Sequence, residues 1–160
     1  MATPTYTLIQ TTTLGSSAQS VTFATIDQSF ADLVLVVSGD LGSSGSMVCT
    51  LNGDTGSNYR YNFMDWYSFS KNGGYSASTS SLRIAQQMNG GGVVIANFLD
   101  YTSYYHKSVI SRYANGASGN MAGGLWASQW NGGPITNLQV ASNDVAFSAG
   151  AVFAIYGIEA

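Results

Sequence analysis

The dipeptide Asn-Gly occurs five times in this chain of 160 residues. Both central residues of a tight type I′ turn need a positive φ angle, which glycine adopts freely and asparagine tolerates better than most residues. Asn-Gly between apolar runs is therefore a strong signal for a β-hairpin. The five pairs begin at Asn52, Asn72, Asn89, Asn115 and Asn131. Their repetition predicts a chain built as a series of hairpins.

Short runs with an apolar residue at every second position, such as residues 20–26, lie between the turn signals. Such runs indicate strands with one face in the core, and no long window keeps a helical period. The sequence predicts an all-β protein with a single domain over residues 1–160. We expect an antiparallel β-sandwich, jelly-roll-like, with about 8 to 11 short strands. Residues 32–37 are predicted as a central strand covered on both faces, and the Ser-rich residues 75–81 as a long loop.

Charged residues make up only 8% of the chain, with a net charge of −3, against about 25% charged residues in an average soluble domain. Five scattered Lys and Arg residues do not form the cationic stripe that binds nucleic acid. The longest apolar stretch, residues 151–158, is far shorter than the roughly 20 residues of a membrane helix. Arg60 is the first basic residue, so we expect no export signal. We predict neither nucleic-acid nor membrane partners.

Residue types that form catalytic and metal sites are sparse. His106 is the only histidine, and Ser108 and Ser111 beside it are poorly placed for a Ser-His-Asp triad. One histidine and one cysteine do not make a zinc site, and Cys49 is expected to pack as a small hydrophobe. We predict no enzyme activity, no cofactor and no metal. A calcium ion at residues 52–58 is the alternative that their oxygen atoms leave open.

Tyrosine and tryptophan are the side chains best suited to contact a partner. Alternation places Tyr59, Tyr61 and Phe63 on one strand face, which we assign to the core. Trp126 and Trp130 share a strand face, and we predict Trp126 in the core and Trp130, next to a turn, at the surface. The candidate contact residues for a protein or glycan partner are Tyr67, Tyr75, Tyr104, Tyr105 and Trp130.

Several segments together resemble a family of small, single-domain β-sandwich proteins encoded among the structural genes of tailed bacteriophages. The most specific segment is Asn-Gly-Asp-x-Gly-x-Asn-Tyr at residues 52–59. Weaker similarity extends over nearly the whole chain, at residues 6–9, 11–14, 20–23, 32–36, 107–109, 124–126, 135–138 and 155–158. Residues 64–80 do not match the family pattern.

The resemblance implies a virion surface protein without catalytic residues. We expect a capsid decoration (cement) protein on the outer head surface, bound to the major capsid protein or another virion protein as a homo-oligomer, a trimer or a dimer, that stabilises capsomers. The alternative is a tail-fibre or spike module that binds a host surface glycan or receptor. The absence of a long fibre shaft favours the head. Assembly in the host cytoplasm and release by lysis require neither an export signal nor disulfides.

Overall fold

The computed structural model describes residues 5–40, 45–68, 70–88, 90–116 and 121–159. Within these ranges the chain forms twelve β-strands and no helix. The strands are β1 (Tyr6–Thr13), β2 (Ser20–Ala24), β3 (Asp32–Asp40), β4 (Gly45–Leu51), β5 (Tyr59–Tyr67), β6 (Ser70–Thr79), β7 (Leu82–Met88), β8 (Gly91–Leu99), β9 (Lys107–Asn115), β10 (Ala122–Trp130), β11 (Asn137–Ser142) and β12 (Val152–Ile158). None of these residues belongs to a helix of the length and apolar character that crossing a membrane requires.

The strands form two antiparallel sheets that pack as a β-sandwich. One sheet has eight strands in the order β1-β12-β3-β8-β9-β10-β5-β6, and the other has four in the order β2-β11-β4-β7. The predicted all-β sandwich is confirmed, although the described residues form one strand more than the upper end of the predicted range.

Three pairs of consecutive strands are neighbours in a sheet: β5 with β6, β8 with β9, and β9 with β10. The other described strands pair with strands distant in sequence, and the chain crosses repeatedly from one sheet to the other. The prediction of serial hairpins is confirmed for these three pairs and wrong for the rest of the chain. Each crossing puts the next strand against the opposite side of the same core, so most of the pairing in this fold is long-range.

The Asn-Gly pairs serve several kinds of local structure. Asn52 and Gly53 have φ angles of 53° and 69°, and the Asp54 amide donates to the Leu51 carbonyl at 3.0 Å, so this is a tight turn. However, it connects β4 and β5, which belong to different sheets. The pair at Asn72 lies inside β6. A positive φ permits a sharp reversal without determining which strand pairs with which.

Two of the remaining pairs lie at strand ends. Asn115 is the last residue of β9, and Gly116 begins the connection to β10, so this pair does belong to a hairpin. Asn131 follows β10 and begins a crossing to β11 in the other sheet. Asn89 lies outside the described residues.

The predicted loop at residues 75–81 is largely strand. β6 spans Ser70–Thr79 and pairs with β5 along its length. The sequence of this strand does not predict it, because small polar residues and two glycines give mostly exposed side chains without apolar alternation. The segment forms a strand because its backbone pairs with β5.

The four-stranded sheet covers one side of the eight-stranded sheet, which we call the inner face. β7 lies close against this face, since the Ser111 hydroxyl of β9 donates to the Ile84 carbonyl at 2.9 Å. The Ser128 hydroxyl of β10 donates to the Arg83 carbonyl at 3.5 Å. Small serine side chains at these two positions let the two sheets approach closely.

An aromatic cluster fills the space beside β7. Trp126 stacks on Phe63, with ring centroids 4.5 Å apart, and meets Tyr61 edge-on at 5.2 Å. The Arg83 guanidinium lies 5.9 Å from the Trp126 ring. Tyr59 and Trp126 are fully buried. The predicted core positions on β5 and the predicted burial of Trp126 are confirmed.

Two tryptophans on opposite faces of the same sheet provide a matched test of this packing. We expect Trp126→Ala to lower the free energy of unfolding by about 3–5 kcal/mol, because it leaves a cavity in the aromatic cluster. Trp66→Ala removes a side chain that is 48% exposed and should cost roughly 1 kcal/mol. Urea unfolding of both variants at one protein concentration measures the difference. Equal losses would contradict the assignment of the two faces.

Candidate functional site

The eight-stranded sheet has a second side that faces away from the four-stranded sheet, which we call the outer face. Among the described residues, nine of the twelve most exposed large apolar side chains belong to strands of this sheet and point to this side. They are Tyr6, Leu8, Met64, Trp66, Tyr75, Val93, Leu99, Ile110 and Leu125. Exposed apolar residues are ordinary when scattered, but their concentration on one face makes this face the candidate binding surface.

The strand registers show that this surface is continuous. One row of paired residues runs across all eight strands, through Leu8, Tyr156, Val34, Asn97, Ile110, Ala127, Asn62 and Tyr75. Adjacent strands lie about 4.8 Å apart, so the row extends over roughly 34 Å. Most of its members are apolar. The outer face therefore offers a broad platform rather than a deep cleft.

Shallow depressions on the outer face are lined mainly by apolar side chains. One of about 290 Å³ is bordered by Tyr6, Val34 and Tyr156. Another of about 380 Å³ is bordered by Ile110 and Leu125, among others. Depressions of this shape suit protruding side chains of a partner better than an enclosed small molecule.

Charge is distributed unevenly over the outer face. The part formed by β5, β6, β9 and β10 presents Arg60, Lys71 and Arg112, and no acidic side chain points outward from the described residues of these strands. The chain as a whole has a net charge of −3. This part of the outer face, apolar with basic groups, is complementary to a partner surface that combines apolar and acidic residues.

Trp66 is held flat on the outer face by a glycine of the neighbouring strand. The two residues are register partners, and a Cβ atom built on Gly123 would overlap the indole ring. The lack of a side chain at Gly123 thus gives Trp66 its place on the sheet. Sequence reasoning did not select Trp66, Ile110 or Leu125 as contact residues. Their alternation with buried residues along β5, β9 and β10 was the available signal.

The predicted contact residues do not come together. Tyr75 is 79% exposed on the outer face. Tyr67 is half-buried and packs against the core. Tyr104 and Tyr105 lie in the connection between β8 and β9, at one end of the sandwich.

Trp130 is buried, so the prediction that it lies at the surface is wrong. Its ring stacks on Tyr59, with centroids 6.1 Å apart, and its Nε1 atom donates to Asp54 Oδ2 at 2.7 Å. The turn after β10 folds back so closely that a Cβ atom on Gly132 would overlap the indole. Proximity to a turn misled the sequence interpretation because this turn covers the tryptophan.

The segment at residues 52–59 holds two loops together. Asp54 accepts hydrogen bonds from the Gly56 amide at 2.8 Å and from the Asn58 side chain, in addition to the bond from Trp130. The bond from Trp130 is the main cause that lowers the pKa of the Asp54 carboxyl. These donors occupy both carboxylate oxygens. No cluster of three or more metal-ligating acidic, His or Cys side chains occurs in the described ranges.

Asn52 joins the same segment to the connection before β11. Its Oδ1 atom accepts from the amides of Thr136 and Asn137 at 2.9 and 3.0 Å, and its Nδ2 atom donates to the Pro134 carbonyl at 2.7 Å. The most specific motif in the sequence therefore has a structural role in this chain. Its side chains bind the protein itself.

The connection between β8 and β9 is anchored by a buried lysine. The Lys107 ammonium donates to the carbonyls of Ser103 and Tyr105 at 2.6 and 2.7 Å and to the Ser103 hydroxyl at 2.8 Å. Burial lowers the pKa of Lys107, and the nearby Asp100 opposes that shift. The anchored loop presents Tyr104 and Tyr105, which are 89% and 80% exposed.

Three further titratable groups of the described chain, His106, Asp65 and Cys49, lie in different surroundings. His106 is exposed, with its Nδ1 atom 3.5 Å from the Gln129 side chain. Asp65 is buried, and the Tyr113 hydroxyl lies 3.5 Å from its Oδ2 atom. Burial raises the pKa of the Asp65 carboxyl. Burial likewise raises the pKa of the Cys49 thiol in the core.

Comparison with known proteins adds little to the site. No protein-family model matches the chain, and no curated protein matches it. Among solved structures, a seed lectin of Lotus tetragonolobus is similar at 10% identity over 88% of this chain and 80% of the lectin, with a TM-score of 0.18. A similarity this weak carries no argument about function.

The Asp54 contacts generate a test by substitution and pH. We expect Asp54→Ala to lower the free energy of unfolding by about 1.5–3 kcal/mol at neutral pH, because the Trp130 donor loses a charged acceptor. The folded-state pKa of Asp54 is lowered, so its contribution is present above about pH 4 and is lost as the pH falls further. Thermal unfolding across pH measures both effects.

Asp144→Ala is the control for this prediction. Asp144 accepts a hydrogen bond from the Ser46 amide at 3.2 Å in an exposed position, and its removal should change stability by well under 1 kcal/mol at neutral pH. An Asp54→Ala variant as stable as the control would contradict the role given to residues 52–59.

Proposed function

We propose that this chain is a non-enzymatic structural protein of a tailed-phage particle, a decoration protein of the outer head surface. It attaches to the major capsid protein or another virion protein through the outer face and stabilises adjacent capsomers. The exposed apolar platform of the eight-stranded sheet carries this proposal. The resemblance of residues 52–59 and of the weaker segments to phage structural proteins supports it.

The size of the outer face suits a protein partner. A platform of roughly 34 Å by 20 Å approaches the about 800 Å² that each partner buries in a standard protein interface. A flat, broad surface can span the boundary between two capsid subunits, which is what a stabilising protein must do. Because apolar side chains dominate the platform, attachment should depend little on ionic strength.

Co-sedimentation with phage heads that lack this protein tests the proposal. Wild-type protein should bind, and binding should persist in high salt. The double variant Ile110→Glu with Leu125→Glu buries two carboxylates in the interface and should weaken binding at least tenfold. Both side chains are about half exposed in the free protein, at 51% and 52%, so the fold should tolerate the change.

Ser20→Glu is the matched control, because Ser20 is exposed on the four-stranded sheet, on the side away from the core. It should bind like wild type. Failure of wild-type protein to bind these heads would overturn the capsid assignment, and full binding by the double variant would overturn the role of the outer face.

A second candidate function is glycan or receptor binding by a tail-fibre or spike protein. The observation that favours it is the loop of residues 100–106, which Lys107 holds from beneath while Tyr104 and Tyr105 remain exposed. Ordered, exposed aromatic rings are suited to stacking on sugar rings. The partner here would be a neutral or weakly charged host surface polysaccharide.

A glycan array tests this second function. If it is correct, wild-type protein binds a polysaccharide and the double variant Tyr104→Ala with Tyr105→Ala loses at least tenfold in affinity, while Tyr75→Ala retains it. An array without binding by the wild-type protein would count against this function and leave the head assignment as the remaining candidate.

A further inference from the structure

β6 is an edge strand with unusual features. It is ten residues long, lies at the end of the eight-stranded sheet next to β5, and has mostly exposed side chains. Soluble proteins usually protect such edges with proline, several charges or a very short strand. β6 has no proline and a single charge, Lys71. No described strand lies on its free side.

The register shows which backbone groups of β6 point to the free side. The Ser68 amide donates to the Met121 carbonyl beside β10 at 3.2 Å. Ser68 is even-numbered, and its amide points toward β10. The backbone N–H and C=O groups of successive residues in a strand point to alternate sides. The backbone groups of the odd-numbered residues of β5 therefore point toward β6. Their register partners on β6 are even-numbered. The groups that point outward therefore belong to Lys71, Gly73, Tyr75 and Ala77, and a bulge at Ser78, with a φ of 62°, ends this regular stretch.

We propose that β6 pairs with β6 of a second copy of this chain, antiparallel and about a twofold axis at Gly74. The outward residues are arranged symmetrically around Gly74, so this register satisfies all of them. Gly73 pairs with Tyr75 of the second copy, and Lys71 pairs with Ala77. Each such pair exchanges two backbone hydrogen bonds.

Side chains support this register. Tyr75, exposed at 79% in a single copy, would lie across Gly73 of the second copy, and an aromatic ring beside a strand glycine is a favourable cross-strand pair. The lysines do not oppose each other, because each faces an alanine. Small residues meet at the axis, where Gly74 faces Gly74. This self-complementarity is the reason to infer a second copy rather than a different chain.

The dimer would join the eight-stranded sheets of two copies into one continuous sheet, with both outer faces on the same side. Pairing about a twofold axis closes with two copies, so the proposal favours a dimer over a trimer. The inference goes beyond the proposed function and does not depend on it, since the pairing would occur in purified protein without any particle.

Cysteine crosslinking tests the register. In the proposed dimer, Gly74→Cys places two thiols opposite each other at a non-hydrogen-bonded pair, about 4.5 Å apart at Cα, which suits a disulfide. Ser76→Cys is the control, because its two copies lie roughly 13 Å apart in this register. The native Cys49 is buried and should not react. Mild oxidation should crosslink Gly74→Cys and leave Ser76→Cys uncrosslinked.

Light scattering tests the interface without relying on the glycine substitution, which would bring a side chain within 3.1 Å of the Phe63 ring. Wild-type protein should have about twice the monomer mass of 16.8 kDa. Tyr75→Ala should raise the dimer dissociation constant about tenfold, and Leu8→Ala, at the opposite edge of the sheet, should leave it unchanged. A monomer, a trimer, or equal effects of the two variants would overturn the proposal, as would equal crosslinking of the two cysteine variants.

Discussion

The unequal size of the two sheets is the constraint from which the other properties of this protein follow. Four strands cover one face of an eight-stranded sheet, and β7 is seated there by hydrogen bonds from Ser111 and Ser128. Nothing in the described chain covers the other face. The inner face holds the aromatic cluster and most of the core, so the outer face is free to carry exposed apolar residues that contribute little to folding.

This division separates stability from binding. Residues 52–59 and the turn over Trp130 use their polar atoms to hold loops at the end of the sandwich, and the Asp54 carboxylate and the Asn52 side chain are bonded to other parts of the protein. Trp66, Ile110 and Leu125 contribute little to the core and are exposed on the outer face, the attachment surface in the proposed function. In the proposed function, selectivity would come from the shape of the platform and from its few charged groups.

The sequence was sufficient for the fold class and for much of the core, because alternation on β5 and β10 shows directly which residues turn inward. It was insufficient for topology. Asn-Gly reports a local φ angle, and the same dipeptide makes a tight turn at Asn52 and lies within a strand at Asn72. The outer face could not be predicted from the sequence for a related reason. Met64 and Tyr75 belong to one surface only because β5 and β6 pair, and β6 has no apolar pattern that predicts a strand.

The central claim is that the outer face of the eight-stranded sheet is the attachment surface. Electron cryomicroscopy of intact particles is the most direct test of this claim. The account predicts density for this protein on the head, with the eight-stranded sheet against the shell and the four-stranded sheet toward solvent. Density on the head with the four-stranded sheet against the shell, or density at the tail alone, would contradict it.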